Sequence, residues 1–177
     1  SYRDFVSYEK SGFNPTVALL AGKTLIRAGV ERFVDQRTVD RGIPSFNGRP
    51  SPLDGRTFVG DPKASRATMT VDGAHLLVEF DNSHGLTLRT HTRAMQYDKY
   101  YQNVFASSAV NAAGTQVNLG AYSTATGRRS VFNQSDLVYH SRHGLVRQTL
   151  VTGTEFSRQA TENVRLTGYF DNVTMSR

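Results

Sequence analysis

Cysteine is absent from the 177 residues, so disulfide frameworks, thiolate metal sites and cysteine nucleophiles are all excluded. Tryptophan is absent too. Prolines number only 5 against 15 glycines, which argues against a disordered low-complexity chain. Long hydrophobic runs are missing: the longest, Val17 to Ala21, falls far short of the roughly twenty residues that a transmembrane helix needs. A barrel strand escapes that test, because only alternate residues face lipid. Catalytic signatures are also lacking. No Gly-x-Ser-x-Gly, His-Glu-x-x-His, P-loop or Gly-x-Gly-x-x-Gly pattern occurs. No catalytic residue is assigned, and the chain reads as a non-enzyme. Metal ligands are equally scarce. His140 and His143 flank a turn, but two ligands fall short of the usual three or four. His75 precedes Glu79 by four residues, which on a strand is about 13 Å and too far to chelate one ion. No metal or cofactor is assigned.

What is present is alternation. Ile26, Ala28 and Val30 alternate with Arg27, Gly29 and Glu31. Ala74, Leu76, Val78 and Phe80 alternate with His75, Leu77, Glu79 and Asp81. Leu86, Leu88, Thr90 and Thr92 alternate with Thr87, Arg89, His91 and Arg93. Period two with apolar residues on one side predicts strands with one apolar and one polar face. Thr, Val, Tyr and Phe dominate these segments, and no capping box precedes a 3.6-residue stripe, so almost no helix is expected. The Gly29-Val30-Glu31-Arg32-Phe33 segment recurs loosely as Gly153-Thr154-Glu155-Phe156-Ser157. Three hairpins in series follow, with turns predicted at Gly22-Lys23, Asn82-Ser83-His84-Gly85 and Arg142-His143-Gly144.

The connections between hairpins are long. One runs from Gly42 through Pro62 and holds four of the five prolines; Asp54 and Asp61 are turn formers in it. A second is expected over Ala106 to Arg129, with a short hairpin near Gln116-Val117-Asn118-Leu119. The predicted fold is all-β: an antiparallel meander of about six long strands in three hairpins. Tight turns at one end and long loops at the other are how outer-membrane barrels are built.

The formal charge is +6, from 21 Lys and Arg against 15 Asp and Glu. The basic residues are dispersed, and Arg128-Arg129 is the sharpest cluster. A basic balance suits nucleic acid, anionic lipid or an anionic ligand. The Asn133-Gln134-Ser135 and Asn172-Val173-Thr174 patterns would matter only in a eukaryotic secretory setting.

The order and spacing of several segments carry a resemblance. They include Ser1-Tyr2-Arg3-Asp4-Phe5-Val6, Asp40-Arg41-Gly42-Ile43-Pro44-Ser45-Phe46-Asn47-Gly48-Arg49-Pro50 and Phe58-Val59-Gly60-Asp61-Pro62. Further on come Leu86-Thr87-Leu88-Arg89, Tyr97-Asp98-Lys99-Tyr100-Tyr101-Gln102-Asn103-Val104, Phe132-Asn133-Gln134-Ser135-Asp136-Leu137 and Thr149-Leu150-Val151-Thr152-Gly153-Thr154-Glu155-Phe156. Along its whole length the chain resembles part of the barrel of TonB-dependent siderophore receptors of the catecholate type. That resemblance implies a 22-stranded barrel with an N-terminal plug in the outer membrane of a Gram-negative bacterium, energised through TonB. The chain has no plug segment and strands for only part of such a barrel, and closed barrels need at least eight. Residues 1–177 are therefore expected to be a barrel fragment whose two open edges invite self-association.

The resemblance also implies a ligand, a ferric siderophore, which is anionic and aromatic and calls for Arg or Lys charge beside Tyr or Phe faces. Arg93, Tyr97, Lys99, Tyr100 and Tyr101 are the candidates near an expected outer strand end, with Arg128 and Arg129 across the next loop. The competing reading places Tyr100 and Tyr101 in an interfacial aromatic girdle and leaves the arginines solvated. Arg27, Glu31, His75, Glu79, Arg89, His91, Asp136 and Glu155 are expected to point into the barrel lumen, where they could pair with one another or with a plug. The alternative is an autonomous soluble β-sandwich or barrel binding an anionic polymer such as nucleic acid; under the receptor reading no nucleic acid is expected.

Overall fold

The computed structural model describes residues 2–170 together with the backbone of a strand at 174–176. Ser1, Arg177 and the Asn172-Val173 part of the Asn172-Val173-Thr174 pattern fall outside the described residues.

Ten strands form, and no helix is present among the described residues. They are β1 (Tyr8–Phe13), β2 (Thr16–Ala21), β3 (Thr24–Thr38), β4 (Ser45–Phe46), β5 (Arg49–Pro50), β6 (Arg66–Asp81), β7 (Leu86–Ala106), β8 (Gln116–His143), β9 (Val146–Gly168) and β10 (Thr174–Ser176). Eight belong to one antiparallel sheet. β1 and β2 lie end to end along β3, separated at Asn14-Pro15, and β9 and β10 both line β8, so the sheet is six columns wide. Pro15 has no amide hydrogen for the ladder, which is why the first column breaks there.

Three hairpins result, as the alternation predicts. The first turn is Gly22-Lys23, where Gly22 has φ +61°, a conformation that costs glycine little. The second is Asn82 to Gly85, built on the Asn82 side chain, which accepts from the His84 and Leu86 amides at 2.7 and 3.0 Å. The third sits at Gly144-Leu145 rather than at Arg142-His143-Gly144: Arg142 and His143 stay in the ladder opposite Arg147 and Val146.

Two further expectations need correction. Residues 116–129 are strand, not loop. β8 begins at Gln116 and pairs with β7 without interruption from Leu119 to Tyr139, leaving only 107–115 as the connection. Its Ala, Gly and Asn residues have low strand propensity, but continuous pairing to β7 decides the outcome. For the same reason Tyr97 to Tyr101 lie mid-strand, since β7 runs on to Ala106.

The two faces of the sheet differ. On one, Val30, Ala74, Ala94, Val131 and Phe156 mark the outer limit of an apolar belt that reaches back to Ala21, Phe80, Leu88, Tyr139 and Leu150 near the tight turns. Along the strands the belt measures roughly 20–27 Å at about 3.3 Å per residue. Its side chains are exposed: Phe156 is 60% and Leu150 59% accessible. Polar residues within the belt satisfy each other. The Asn133 amide donates to the Thr90 and Thr92 hydroxyls at 3.2 and 2.8 Å, and Thr90 and Ser135 hydroxyls lie 2.9 Å apart. The sheet has no conventional core: Val39, Ala67, Met95 and Val117 are the buried hydrophobic residues among those described. β7, with 21 residues, extends roughly 70 Å, so much of each long strand stands beyond the belt.

Beyond the belt, the loop spanning 39–65 packs on the strand ends. Asn47-Gly48 turns the small β4–β5 hairpin. Asp54 and Asp61 cap turns, accepting from the Arg56 and Lys63 amides at 2.9 and 2.8 Å. Arg3 ties the N-terminal segment down, ion-paired with Asp40 and donating to the Gly55 and Thr57 carbonyls at 2.6 and 2.8 Å. Gly60 bridges to Phe105 and lies so close to the Val104 carbonyl that a Cβ would collide with it. The loop at 107–115 joins the same assembly, its Val110 amide donating to the Ser45 carbonyl at 2.8 Å.

Candidate functional site

The face opposite the belt is polar. Beside the tight turns, Arg27, Glu31, His75, Glu79, Arg89, His91, Arg93 and Asp136 line one open concavity of about 800 Å³. Register makes them neighbours: Glu79 faces Arg89, which faces Asp136, while His75 faces Arg93. Arg93 donates to Glu31 at 2.8 Å and Arg89 to Glu79 at 2.7 Å. Gln134 donates to Asp136 at 3.2 Å. The His75 and His91 rings meet edge to face at 6.2 Å. Glycine lets these side chains lie flat: a Cβ on Gly29 would run into the His75 ring, and one on Gly73 would come within 2.9 Å of Glu31 Cγ. Glu155 shares this face opposite Gln134 but is exposed on the edge strand and does not line the concavity.

A second, different cluster occupies the polar face at the far ends of the strands, beyond the level of the belt. Tyr101 and Phe105 project from β7, four residues apart and so on one face. Tyr122 of β8 stacks on Tyr101, with centroids 5.4 Å apart, and meets Phe105 edge-on at 5.9 Å. Two guanidinium groups cover the rings. Arg165 of β9 lies 4.4 Å from the Tyr122 centroid. Arg41, from the loop spanning 39–65, lies 4.4 Å from the Phe105 centroid and donates to the Tyr122 hydroxyl at 3.3 Å. Neither guanidinium has a carboxylate partner among the described residues. Burial pushes the Tyr101 phenol above the ordinary tyrosine range; the Tyr122 phenol adds to the rise, and the Arg41 guanidinium works against it.

The support beneath this cluster is firm. Asn103, between Tyr101 and Phe105 and opposite Tyr122, is 1% exposed and donates to the Val39 carbonyl at 3.4 Å. Ser65 exchanges hydrogen bonds with the Val104 backbone at 3.1 and 3.3 Å. Both ends of the 39–65 loop are thus fastened to β7, which fixes where Arg41 stands. The space in front, about 890 Å³, is bounded by Arg41, Phe105, Tyr122, Arg165, Tyr169 and Phe170. Two guanidinium groups without carboxylate partners over a stacked pair of rings and a third ring set edge-on make an electropositive, aromatic surface, the chemistry that attracts anionic aromatic groups.

The seven residues proposed from sequence for the ligand do not gather in one place. Tyr101 belongs to the cluster just described. Tyr97 and Lys99 share its face farther down β7, with Arg128 directly opposite Tyr97. Arg93 is engaged by Glu31 in the concavity near the turns. Tyr100 and Arg129 stand on the opposite, belted face, because neighbours on a strand point in opposite directions. Tyr100 hydrogen-bonds Gln102 there, with Arg66 5.3 Å from its ring centroid. Arg128 and Arg129 are not across a loop from Tyr97: they lie in the adjoining strand, opposite Tyr97 and Gln96. Sequence reasoning missed Arg41, Phe105, Tyr122 and Arg165. The spacing of Tyr101 and Phe105 was a usable signal, but Arg41 and Arg165 come from distant segments that only the strand register brings together.

No protein-family model matches the chain. Among solved structures, the chain is similar to the ferric-catecholate import receptor Fiu from Escherichia coli K12. For its open form the TM-score is 0.76, with 22% sequence identity over 90% of this chain and 28% of that one. For the closed form the TM-score is 0.76 at 21% identity, over 90% and 26%. It is similar too to BauA, the ferric preacinetobactin receptor of Acinetobacter baumannii, with a TM-score of 0.78 at 14% identity over 94% and 25%. The chain spans about a quarter of the length of these receptors. At such identities the likeness shows the fold: an open antiparallel sheet that matches part of a β-barrel receptor.

Proposed function

We propose that the chain forms part of the barrel wall of a TonB-dependent outer-membrane receptor that takes up a ferric siderophore. The belted face meets lipid, the polar face lines the lumen, and the tight turns lie on the periplasmic side. The observation that carries the ligand assignment is the outer cluster: Arg41 and Arg165, without carboxylate partners, over the Tyr101, Phe105 and Tyr122 rings. Such a surface favours a chelate that is both anionic and aromatic over a neutral, aliphatic one. Glu31, Arg93, Glu79 and Arg89 then form a hydrated polar wall below it, suited to contact a plug domain whose movement TonB drives. The unpaired outer edges of β9 and of β1 and β2 are where the remaining barrel strands join.

The test uses the full-length gene product that contains this segment. Isothermal titration in detergent against a ferric tris-catecholate and a neutral ferric hydroxamate is expected to show binding of the first and little of the second. Equal affinity for the two would overturn the ligand assignment. A chain that is monodisperse in plain buffer and binds nucleic acid with steep salt dependence would overturn the receptor reading altogether.

A further inference from the structure

The apolar belt ends abruptly. On five columns the first residue beyond it on the same face is polar: Arg32 on β3, Asp72 on β6, Gln96 on β7, Arg129 on β8 and Arg158 on β9. Arg32 faces Asp72, Asp72 faces Gln96, and Gln96 faces Arg129, so four of the five form one row of the sheet, and Arg158 stands one step nearer the belt. The charges are unevenly matched. Arg32 is paired with Asp72 at 3.1 Å. Arg129 and Arg158 are exposed and have no carboxylate partner among the described residues. The nearest acids on this face, Asp98 and Glu162, stand one row farther out, and Asp98 accepts from the Gln96 amide at 2.9 Å.

Arg129 is opposite Ala160 and Arg158 is opposite Val131, so the arginines are diagonal neighbours across β8 and β9, roughly 7–8 Å apart along the backbone. Long guanidinium arms at that separation can converge on one tetrahedral anion and donate several hydrogen bonds to it. Between them and the belt the small side chains of Ala74, Ala94 and Ala160 leave an open groove of about 610 Å³, bounded by Asp72, Gln96, Arg129 and Arg158 on its outer side and by Val131 at the rim of the belt. Asp72 in the lining is held by Arg32, so Arg129 and Arg158 leave the outer end net cationic while Ala74, Ala94 and Val131 make the other end apolar, which is the polarity of an amphiphile with an anionic head. We infer that this groove holds a phosphorylated membrane lipid, its phosphate bridged by Arg129 and Arg158 and an acyl chain lying along Ala94 and Val131. The inference rests on the reading that the belt meets lipid.

The full-length gene product in zwitterionic micelles tests it, with phosphatidic acid, phosphatidylcholine and inorganic phosphate as probes. Phosphatidic acid is expected to bind with an affinity that falls as salt rises; phosphatidylcholine is not. Replacing both residues, Arg129→Ala with Arg158→Ala, is expected to weaken it roughly thirtyfold, at about a factor of five to six per arginine. The paired change to lysine retains most of the binding. Inorganic phosphate at equal concentration is expected neither to bind comparably nor to compete, because it cannot occupy the apolar end. Phosphate binding as tight as the lipid's would overturn the lipid in favour of a free-anion site. Unchanged affinity in the double alanine variant, or a salt-independent wild-type affinity, would overturn the arginine site. The wild-type salt series decides the matter even where a variant folds poorly. A full-length protein that stays monodisperse without detergent would instead defeat the membrane reading on which the inference rests.

Discussion

Tyr122 is the residue on which the outer cluster turns, and its truncation gives a quantitative test. The ring makes a stacked contact with Tyr101 at 5.4 Å, an edge contact with Phe105 at 5.9 Å and a cation–π contact with Arg165 at 4.4 Å. Each aromatic pair is worth about 1 kcal/mol and an accessible cation–π contact about 0.5–1 kcal/mol. The hydroxyl adds an acceptor for Arg41 at 3.3 Å, a long contact worth less than about 1 kcal/mol. Tyr122→Ala therefore removes roughly 3 kcal/mol of contacts and releases both guanidiniums from their fixed positions. Since the ligand must then order Arg41 and Arg165 itself, affinity for a ferric tris-catecholate is expected to fall about a hundredfold. Tyr122→Phe keeps the ring and is expected to bind within about threefold of wild type. Titration calorimetry on the full-length protein reads the affinity, and a denaturant midpoint on the same samples checks folding. If the alanine variant binds as well as wild type, the cluster is not the ligand surface. If the phenylalanine variant is as weak as alanine, the hydroxyl rather than the ring is the determinant and the stacking argument fails.

Other predictions follow from the same geometry. The raised Tyr101 phenol stays neutral past its ordinary value of 10.0 in the folded protein, so stability is constant below that pH and declines as pH climbs through the raised value. Tyr101→Phe is expected to remove that alkaline decline in a pH series of denaturant midpoints. Arg3→Ala deletes the ion pair to Asp40 and the bonds to the Gly55 and Thr57 carbonyls. It is expected to cost about 2–4 kcal/mol of local stability, seen as faster hydrogen exchange and proteolysis across 39–65 while β7 and β8 stay protected. Val78→Arg, on the belt, is expected to cost about 2–4 kcal/mol of folding stability in bilayers, and Leu77→Arg, one residue away on the polar face, under about 1 kcal/mol; equal costs would argue that the faces are misassigned.

Alternation was readable because it is local. Leu76, Val78 and Phe80 against His75, Leu77 and Glu79 define two faces without any knowledge of a partner strand, and Gly22 marks its turn by what it lacks. Strand length was not readable. Ala125 and Gly127 disfavour strand, and the run Thr124 to Gly127 is strand throughout because Tyr101 to Asp98 stand opposite it in the ladder. That misjudged length moved Tyr97, Lys99 and Tyr100 to a strand end that does not exist. The face that Tyr100 takes is a local property, since a residue adjacent to Tyr101 on a strand faces the other way. Arg41, Tyr122 and Arg165 are separated by 81 and 43 positions, and nothing local connects them. Their meeting depends on the register of β7, β8 and β9 and on the fastening of the 39–65 loop by Ser65 and Asn103.

The central claim, one face to lipid and the other to water, is most directly tested along β6. This segment contains no native cysteine, so single cysteines can be placed at His75, Leu76, Leu77, Val78 and Glu79 of the full-length protein in native membranes. A membrane-impermeant maleimide is expected to label positions 75, 77 and 79 through the aqueous interior and to spare 76 and 78, which a bilayer-embedded quencher should reach instead. Uniform labelling of all five, or the opposite alternation, would contradict the account.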